Sequence, residues 1–295
     1  MHNQVRGGVK RVQTRSGEVG FPAYMPVTTF SGDYPTDRLI QPFLSRWAEI
    51  TMVSLHHART LTEKTALPTK ALFIDSGGFA CLLNGFEITS RDDGTGCIVK
   101  VVDGQVEETI SPEGVLAMQE RLADFGATLD FPIPPGVTDD VERRRRMDLT
   151  LGNAAWAKQR HQGRMVLFGS VQGYDVDSYV ECAAAMVALG FEHLAIGGLV
   201  PRQRDTALIE EVCVRVAALL PAQGLLHVFG LGKPEQVGRL MQLGVTSVDS
   251  SSYVQTAAAG KRWDGLACAE SPTALEIAHA AAANLQFANR VVRSA

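Results

Sequence analysis

Eight short apolar segments alternate with amphipathic segments of helical period along this chain of 295 residues, and this alternation constrains the fold most strongly. Most of the eight are rich in β-branched or aromatic residues, which is typical of buried parallel strands. The predicted strands cover residues 23–27, 50–55, 71–74, 127–131, 165–171, 193–196, 225–229 and 246–248. One predicted helix begins at Ser111-Pro112-Glu113, and five more cover residues 139–161, 176–189, 205–220, 234–243 and 271–290.

Eight strands joined by helical crossovers predict a parallel sheet, and a count of eight favours a closed (β/α)8 barrel of the TIM type. A doubly wound open sheet is the alternative. Its dinucleotide-binding form would place a GxGxxG motif on the first strand-to-helix turn, and none is found there. Residues 86–110 carry DDGTG and VDG turn signals, which predict a β-hairpin inserted after the third strand. We expect a single domain over residues 1–295, with a C-terminal helical segment over residues 264–295.

Composition limits the class of protein. The chain is 45% hydrophobic and 20% charged, which excludes a disordered protein. No apolar run approaches the roughly 20 residues of a membrane span, and the N-terminus lacks the apolar core of a secretory signal. Five scattered cysteines without zinc-ligand spacing indicate a cytoplasmic protein with reduced thiols, and we expect no metal or cofactor. The net charge of −4 excludes a globally basic nucleic-acid binder but allows a local basic groove.

Polar residues and glycines follow most of the predicted strands. In a TIM barrel the ligand site forms at the carboxyl ends of the strands, so these residues would meet at one rim. In chain order they are Asp75, Ser76, Asp130, Gln172, Gly197, Gly198, Lys233 and Asp249, and the aromatic Phe79 follows the third strand as well. Three carboxylates, one amide and glycine-bearing turns suit the recognition of a flat polar ligand.

Each of these residues also has a structural interpretation. Asp75 and Asp249 could cap the helices that follow them, and the Gly197-Gly198 pair could serve only a turn. The arginine run 143–146 lies on a predicted helix and indicates a solvated outer face. His56 and His57 end the second predicted strand, and a structural role is the favoured interpretation for both. A metal-dependent amidohydrolase would need more histidines at the ends of strands, so the sequence argues against that class of enzyme.

Six short motifs occur in order along the chain. They are DSGGF (75–79), SPE (111–113), VQG (171–173), GGL (197–199), GLGKP (230–234) and DSSSY (249–253), the last followed by AGKR (259–262). On these motifs the chain resembles the tRNA-guanine transglycosylase superfamily, from about residue 21 to about residue 263. The resemblance implies a TIM barrel that exchanges guanine in a polynucleotide for a 7-deazaguanine base.

The resemblance also implies roles for individual residues. Asp249 would be the nucleophile and Asp75 the general acid/base. The base would be bound by Ser76, Phe79, Asp130, Gln172, Gly197, Gly198 and Leu199. Two carboxylates are needed because base exchange without hydrolysis passes through a covalent sugar intermediate, as in a retaining glycosidase. The second group protonates the leaving guanine and later deprotonates the incoming base.

The polymer is expected to be DNA. The tRNA-acting members carry a cysteine- and histidine-ligated zinc subdomain after the nucleophile, or further RNA-binding domains, whereas here one cysteine and one histidine follow Trp263. A short barrel without the zinc subdomain resembles the branch that places 7-deazaguanines, such as 7-cyano-7-deazaguanine, in DNA. A tRNA-guanine transglycosylase is the alternative. A non-catalytic nucleic-acid-binding paralogue is a second alternative, against which the presence of both Asp75 and Asp249 argues.

The expected partners are therefore a nucleic acid and a free 7-deazaguanine base, with no membrane and with the oligomeric state left open. Because the net charge is negative, phosphate binding must come from a local patch of basic residues. The residues expected in this patch are Lys233, Arg202, Arg204, Lys261 and Arg262.

Overall fold

Thirteen strands are found in the computed structural model, which describes residues 9–30, 35–64, 67–267 and 272–295. They are β1 (Lys10–Thr14), β2 (Gly17–Phe21), β3 (Ala23–Pro26), β4 (Ile50–Val53), β5 (Ala71–Ile74), β6 (Phe86–Ser90), β7 (Gly96–Val102), β8 (Gln105–Ile110), β9 (Phe125–Ala127), β10 (Val166–Val171), β11 (Leu194–Ile196), β12 (Leu226–Val228) and β13 (Ser247–Ser250). Eight of these strands form one parallel sheet in the order β3-β13-β12-β11-β10-β9-β5-β4. A parallel bridge between Val27 and Met52 joins the two outermost strands and closes the barrel.

This topology confirms the predicted (β/α)8 barrel. The fourth barrel strand is the one whose position was predicted wrongly, since β9 ends at Ala127 rather than continuing to residue 131. Thr128 still donates a hydrogen bond to the Phe168 carbonyl of β10, but beyond Thr128 side chains of a helix bind the chain. Asn153 donates a hydrogen bond to the Leu129 carbonyl, and the Phe131 amide donates one to Thr150. The prolines that follow cannot donate to a ladder, so the chain leaves the sheet here.

Ten α-helices accompany the strands in the described part of the chain. They are α1 (Pro35–Ile40), α2 (Leu44–Trp47), α3 (Leu55–Ala58), α4 (Pro112–Leu122), α5 (Asp140–Arg160), α6 (Val176–Ala188), α7 (Thr206–Ala217), α8 (Pro234–Gln242), α9 (Ser252–Ala258) and α10 (Ala274–Ser294). The starts of α4, α5 and α7 follow from capping, because Ser111, Asp139 and Asp205 each accept a hydrogen bond from an amide of the first turn.

The last helix begins later and ends later than predicted. Thr273 caps α10 through a capping box with Glu276, while residue 271, the predicted start, lies outside the described residues. The arginine run of α5 ion-pairs with four acidic residues of α5 and α6, which are Asp140, Glu142, Asp148 and Glu181. Across the described ranges, no helix is long and apolar enough to cross a bilayer.

The insertion after β5 consists of three antiparallel strands, β6, β7 and β8, rather than the single hairpin that was predicted. Both expected turns are present, but each joins a separate pair of strands. Asn153 of α5 holds the insertion in place by accepting a hydrogen bond from the Gly96 amide and donating one to its carbonyl. Ile98 and Ile110 are buried against Phe131 on the inner side of this small sheet.

Aromatic side chains fill the barrel interior. The rings of Phe73, Phe125 and Phe168 pack together, with Phe73 and Phe168 centroids 5.5 Å apart. The hairpin of β1 and β2 covers the amino end of the barrel and buries Val19 and Phe21 against this cluster. With the amino end filled, the open space of the barrel lies at its carboxyl end.

Candidate active site

A cavity of about 250 Å³ opens at the carboxyl ends of the barrel strands. The polar residues that line it are Ser54, Asp75, Ser76, Asp130, Gln172 and Asp249. The cavity is smaller than the roughly 300–1,000 Å³ of pockets for drug-sized ligands, which suits a single flat heterocycle. The parallel topology therefore brings five predicted polar residues together, although they lie as much as 174 positions apart in the chain.

Asp75 follows β5 directly and is held by the backbone. Its Oδ1 accepts hydrogen bonds from the Leu55 amide at 2.6 Å and from the Gly77 amide at 3.1 Å. These contacts fix the carboxylate without capping a helix, since Gly77 takes the cap position of the short 3-10 turn that follows. The pKa of Asp75 is raised to about 7, mainly by desolvation and to a smaller extent by the negative charges of Asp249 and Asp130, while the two backbone hydrogen bonds act in the opposite direction.

Asp130 lies at the back of the cavity, with only 3% of its surface exposed. Ser76 donates a hydrogen bond to Oδ1 at 2.5 Å, and the Gln172 amide donates one to Oδ2. Burial raises the pKa of Asp130, while these two hydrogen bonds act in the opposite direction. The Gln172 side chain is fully buried, and its Oε1 is left without a hydrogen-bond partner among the described residues.

The Gly197-Gly198 turn closes against Gln172. A Cβ at residue 197 would lie 2.2 Å from Gln172 Nε2, and one at residue 198 would lie 2.6 Å from Oε1. Gly198 also has φ +71°, a conformation that favours glycine. The Gly197 carbonyl accepts a hydrogen bond from the buried Tyr179 hydroxyl. Leu199, which was predicted alongside the two glycines, has its side chain fully buried in the core and does not line the cavity.

Asp249, in β13, faces the cavity from the opposite side and is 7% exposed. Its Oδ1 accepts hydrogen bonds from the Gly230 amide at 2.9 Å and from His227 Nε2 at 3.1 Å. Among the described residues, Oδ2 accepts none. Asp249 does not cap the following helix, because Ser251 holds that position.

His227 is a site residue that sequence reasoning missed. It lies inside β12, at a position whose side chain points into the barrel, and a histidine at such a position is the one signal that could have identified it.

Phe79, by contrast, was predicted and stands at the mouth of the cavity with 66% of its surface exposed. The remaining rim is apolar and includes Val27, Met52, Leu82, Pro132, Pro134, Val200, Pro201 and Phe229. An aromatic ring at an apolar rim can stack on a planar ligand.

Comparison with known proteins identifies the family. The model of the queuine tRNA-ribosyltransferase family matches residues 5–265. The chain belongs to this family. The match confirms the resemblance to the tRNA-guanine transglycosylases on which the expected site residues depend.

Three relatives indicate the range of the family around this member. A DNA-guanine transglycosylase of Salmonella montevideo is 33% identical over 143 residues, 45% of this chain and 34% of the relative. A tRNA-guanine(15) transglycosylase of Methanocaldococcus jannaschii is 33% identical over 162 residues, 52% of this chain and 24% of the relative. A queuine tRNA-ribosyltransferase of Thermosynechococcus vestitus is 28% identical over 269 residues, 84% of this chain and 67% of the relative. The match thus covers about a third of the length of the first relative and about a quarter of the second.

The five basic residues expected at the rim of this family member fall into two groups. Lys233, Arg204 and Lys261 are exposed to solvent. Arg202 instead donates hydrogen bonds to the carbonyls of Gly198, Ile133 and Tyr174. Arg262 forms a bidentate pair with Asp264, at 3.0 and 2.5 Å. The phosphate contacts predicted for Arg202 and Arg262 stay predictions, and both guanidinium groups are engaged inside the protein.

The described residues show no zinc site of the kind expected for tRNA-acting members. Within the ranges that the structure describes, no three His, Cys, Asp or Glu side chains form a cluster that could hold a metal ion. Only Cys268 and His279 follow Trp263, and Cys268 lies outside the described residues.

Proposed function

We propose that this protein is a base-exchange transglycosylase that replaces guanine in DNA with a 7-deazaguanine, through a covalent aspartyl-sugar intermediate. The observation that carries the proposal is the pairing of Asp75 and Asp249 in one small pocket. One carboxyl group has a pKa of about 7, which suits a group that gives and takes a proton at neutral pH. The other is held through a single oxygen and keeps the second oxygen available for attack.

In the first half-reaction, Oδ2 of Asp249 attacks C1′ of the target nucleotide while the C1′–N9 bond breaks. The electron pair of that bond goes to the leaving guanine, which takes a proton from the Asp75 carboxyl group. In the second half-reaction, the Asp75 carboxylate removes the proton from N9 of the incoming base. That nitrogen then attacks C1′, and the ester electrons return to Asp249. Both half-reactions proceed without net uptake of water or protons.

The rest of the pocket supplies base recognition. An ionised Asp130 only accepts hydrogen bonds, which suits the amino and ring N–H donors of a guanine-like edge. Ser76 and Gln172 fix this carboxylate, and Gln172 Oε1 offers another acceptor beside the Gly197-Gly198 turn. The Leu199 backbone extends this turn. Phe79 would stack on the base at the mouth of the cavity.

The choice of DNA is supported by the relative named as a DNA-guanine transglycosylase, at 33% identity over 143 residues. In either polymer the target base must leave its stack to reach a pocket this narrow. Exchange in tRNA is the second candidate function. It is favoured by the relative named as a queuine tRNA-ribosyltransferase, whose similarity extends over 84% of this chain.

The test is incorporation of labelled guanine, and then of labelled 7-cyano-7-deazaguanine, into duplex DNA, single-stranded DNA and tRNA. We expect label in DNA, and a denaturation-resistant protein–DNA adduct when the acceptor base is withheld. Asp249→Asn should lower exchange by about 10⁴-fold or more, because an amide cannot attack C1′. Asp139→Asn is the matched control, since an asparagine caps α5 as well as an aspartate does.

Label in tRNA and not in DNA would replace the proposed polymer with the second candidate. Adduct formation and exchange by Asp249→Asn at the wild-type rate would remove the nucleophile from the proposal. Tight binding of DNA or tRNA by the wild type without any exchange would indicate the non-catalytic paralogue.

A further inference from the structure

We propose that His227 is a positioning residue that selects which oxygen of Asp249 attacks the sugar. This inference rests on the proposed function, because it takes Asp249 as the nucleophile. It concerns a residue outside the six motifs, one that would touch neither base nor sugar. Its effect would pass through the hydrogen bond between His227 Nε2 and Asp249 Oδ1.

The placement of the ring follows from strand register. His227 in β12 pairs with Ser247 in the neighbouring strand β13. Ser247 and Asp249 are two residues apart on β13, so their side chains point to the same face of the sheet. The imidazole spans the two, with Nδ1 2.9 Å from Ser247 Oγ and Nε2 3.1 Å from Asp249 Oδ1.

The ring is locked by packing. His227 is fully buried, and its ring lies against the rings of Phe73 and Phe229, with centroids 5.2 and 4.7 Å away. Phe168 packs at 6.5 Å. A buried imidazole without hydrogen bonds would be costly, and here both ring nitrogens have partners. The aromatic cage therefore leaves the ring one orientation that satisfies both nitrogens.

The partners also determine where the ring proton lies. A carboxylate only accepts hydrogen bonds, so Nε2 carries the proton and donates to Asp249. Nδ1 then accepts from the Ser247 hydroxyl, which fixes this tautomer. Ser247 is thus the residue that keeps His227 in its donating form.

The consequence is an asymmetric carboxylate. Two donors, the Gly230 amide and His227, hold Oδ1, and among the described residues Oδ2 has no donor. Oδ2 is therefore the oxygen that forms the bond to C1′. When the ester breaks in the second half-reaction, negative charge returns to Asp249, and the two donors on Oδ1 stabilise it.

A satisfied core histidine would have the same burial, so the test must separate positioning from packing. His227→Asn keeps a polar side chain that is too short to reach Asp249. His227→Gln can place its amide donor near the position of Nε2. Ser247→Ala removes the group that fixes the tautomer. For each variant we would measure kcat, KM for the free base, dissociation constants for guanine and the melting temperature.

We expect His227→Asn to lower kcat by about 10- to 100-fold, the loss of one hydrogen bond to a charged group. The dissociation constant for guanine should stay within about twofold, because the base contacts are untouched. His227→Gln should recover most of the lost rate, and Ser247→Ala should fall between the two. If His227→Asn and His227→Gln lose stability equally and have the same kcat, the inference is overturned and the ring is only packing.

An NMR experiment checks the hydrogen bond without relying on activity. In the ¹⁵N spectrum of the full chain, the His227 signals are assigned by their loss in His227→Gln. We expect a protonated Nε2 and an unprotonated Nδ1, with the Nε2–H resonance shifted in Asp249→Asn. A proton on Nδ1 with a bare Nε2 would overturn the inference whatever the enzyme does. Failure of the wild type to exchange any base would instead overturn the proposed function.

Discussion

Buried aspartates lie at both ends of the barrel, and the two ends treat them in opposite ways. Asp124 precedes β9 at the amino end, and Asp130 follows the same strand at the carboxyl end. Both are almost completely buried. At the amino end, Lys64 ion-pairs with Asp124, and the amides of Ser16 and Leu72 donate to its two oxygens. Burial raises the pKa of Asp124, but these contacts outweigh it and leave the pKa below its usual value.

At the carboxyl end, the effect of desolvation on the pKa of the buried aspartates outweighs that of their hydrogen bonds. Within the described part of the chain, neither Asp75 nor Asp130 forms an ion pair with a lysine or an arginine, and the pKa of each is raised. The difference teaches that burial alone does not make a carboxylate reactive. What distinguishes the pocket is burial without a lysine or arginine among the described residues, in a place where the charges of Asp249 and Asp130 also raise the pKa of Asp75.

The largest expected effect that would test this comparison concerns Asp75. Asp75→Asn keeps an oxygen for the Leu55 and Gly77 amides but cannot transfer a proton, so kcat for exchange should fall by about 10²- to 10⁴-fold. In the wild type, adduct formation needs the protonated acid, so its rate should fall as the pH rises through about 7. In Asp75→Asn this dependence should be lost. Quenched-flow measurement of the adduct against pH checks both statements, and full exchange by the variant would remove Asp75 from the mechanism.

The next effect belongs to the amino end and should appear in stability rather than rate. Lys64→Met leaves Asp124 buried without its cation, which is expected to lower the free energy of unfolding by about 3–5 kcal/mol. Exchange by the folded variant at low temperature should stay near the wild-type rate. Urea titration measures the first quantity and the labelling assay the second. A Lys64→Met protein that is stable but inactive would mean that the two ends are coupled, contrary to the comparison.

Sequence alone predicts the carboxyl end well because its signals are local. Asp75, Gln172 and Asp249 each stand at the end of an apolar strand, and parallel topology then brings them to one rim. The eight strands were predictable for the same reason, except at residues 129–131, which continue the strand pattern of β9 beyond its hydrogen bonds to β10. There the chain bonds to α5 side chains, and apolar periodicity does not report which partner a backbone amide finds.

The contacts that hold the site together were much harder to predict. His227 lies in the middle of a strand, where an inward position normally means core packing, and its significance depends on the register with Ser247. The three partners of Arg202 are backbone carbonyls, which carry no side-chain signature. The sequence therefore indicated a basic residue near the pocket. Which groups Arg202 contacts depends on how three loops come together in space.

Arg202 extends the comparison to cations, with a smaller expected effect. Arg15 at the amino end also donates to three carbonyls, those of Arg164, Arg121 and Glu120. Arg202→Lys would loosen three loops that line the pocket, so we expect KM for the free base to rise about three- to tenfold. Arg15→Lys should change stability without changing KM. Steady-state kinetics of the two matched variants decides whether the hydrogen bonds of Arg202 to the three carbonyls are needed for binding of the base.

Arg204 provides the control for the phosphate contact that Arg202 was predicted to make. It lies two positions away and is exposed. Arg204→Ala should weaken polynucleotide binding uniformly across sequences and reduce the slope of log K against log salt by about one, leaving KM for the base unchanged. A salt slope reduced by about one in the charge-removing variant Arg202→Gln, with an unchanged KM for the base, would restore Arg202 to phosphate binding.

The smallest expected effect concerns the stability of the folded protein and how the buried carboxyl group of Asp75 makes it depend on pH. Because the pKa of Asp75 is raised from 3.8 to about 7, the folded state binds its proton more tightly than the unfolded state does. Between about pH 4 and pH 7, the contribution of Asp75 to the free energy of unfolding should therefore fall as the pH rises. Asp75→Asn removes this dependence. At pH 8 the variant should therefore melt at a higher temperature than the wild type. At pH 4 the variant and the wild type should have the same melting temperature.

Asp124→Asn should change the melting temperature in the opposite direction, since it removes a carboxylate whose charged form stabilises the fold. The loss in melting temperature should be greatest at pH 8. If both variants shift the melting temperature in the same direction at pH 8, the two ends do not differ in the way the geometry indicates.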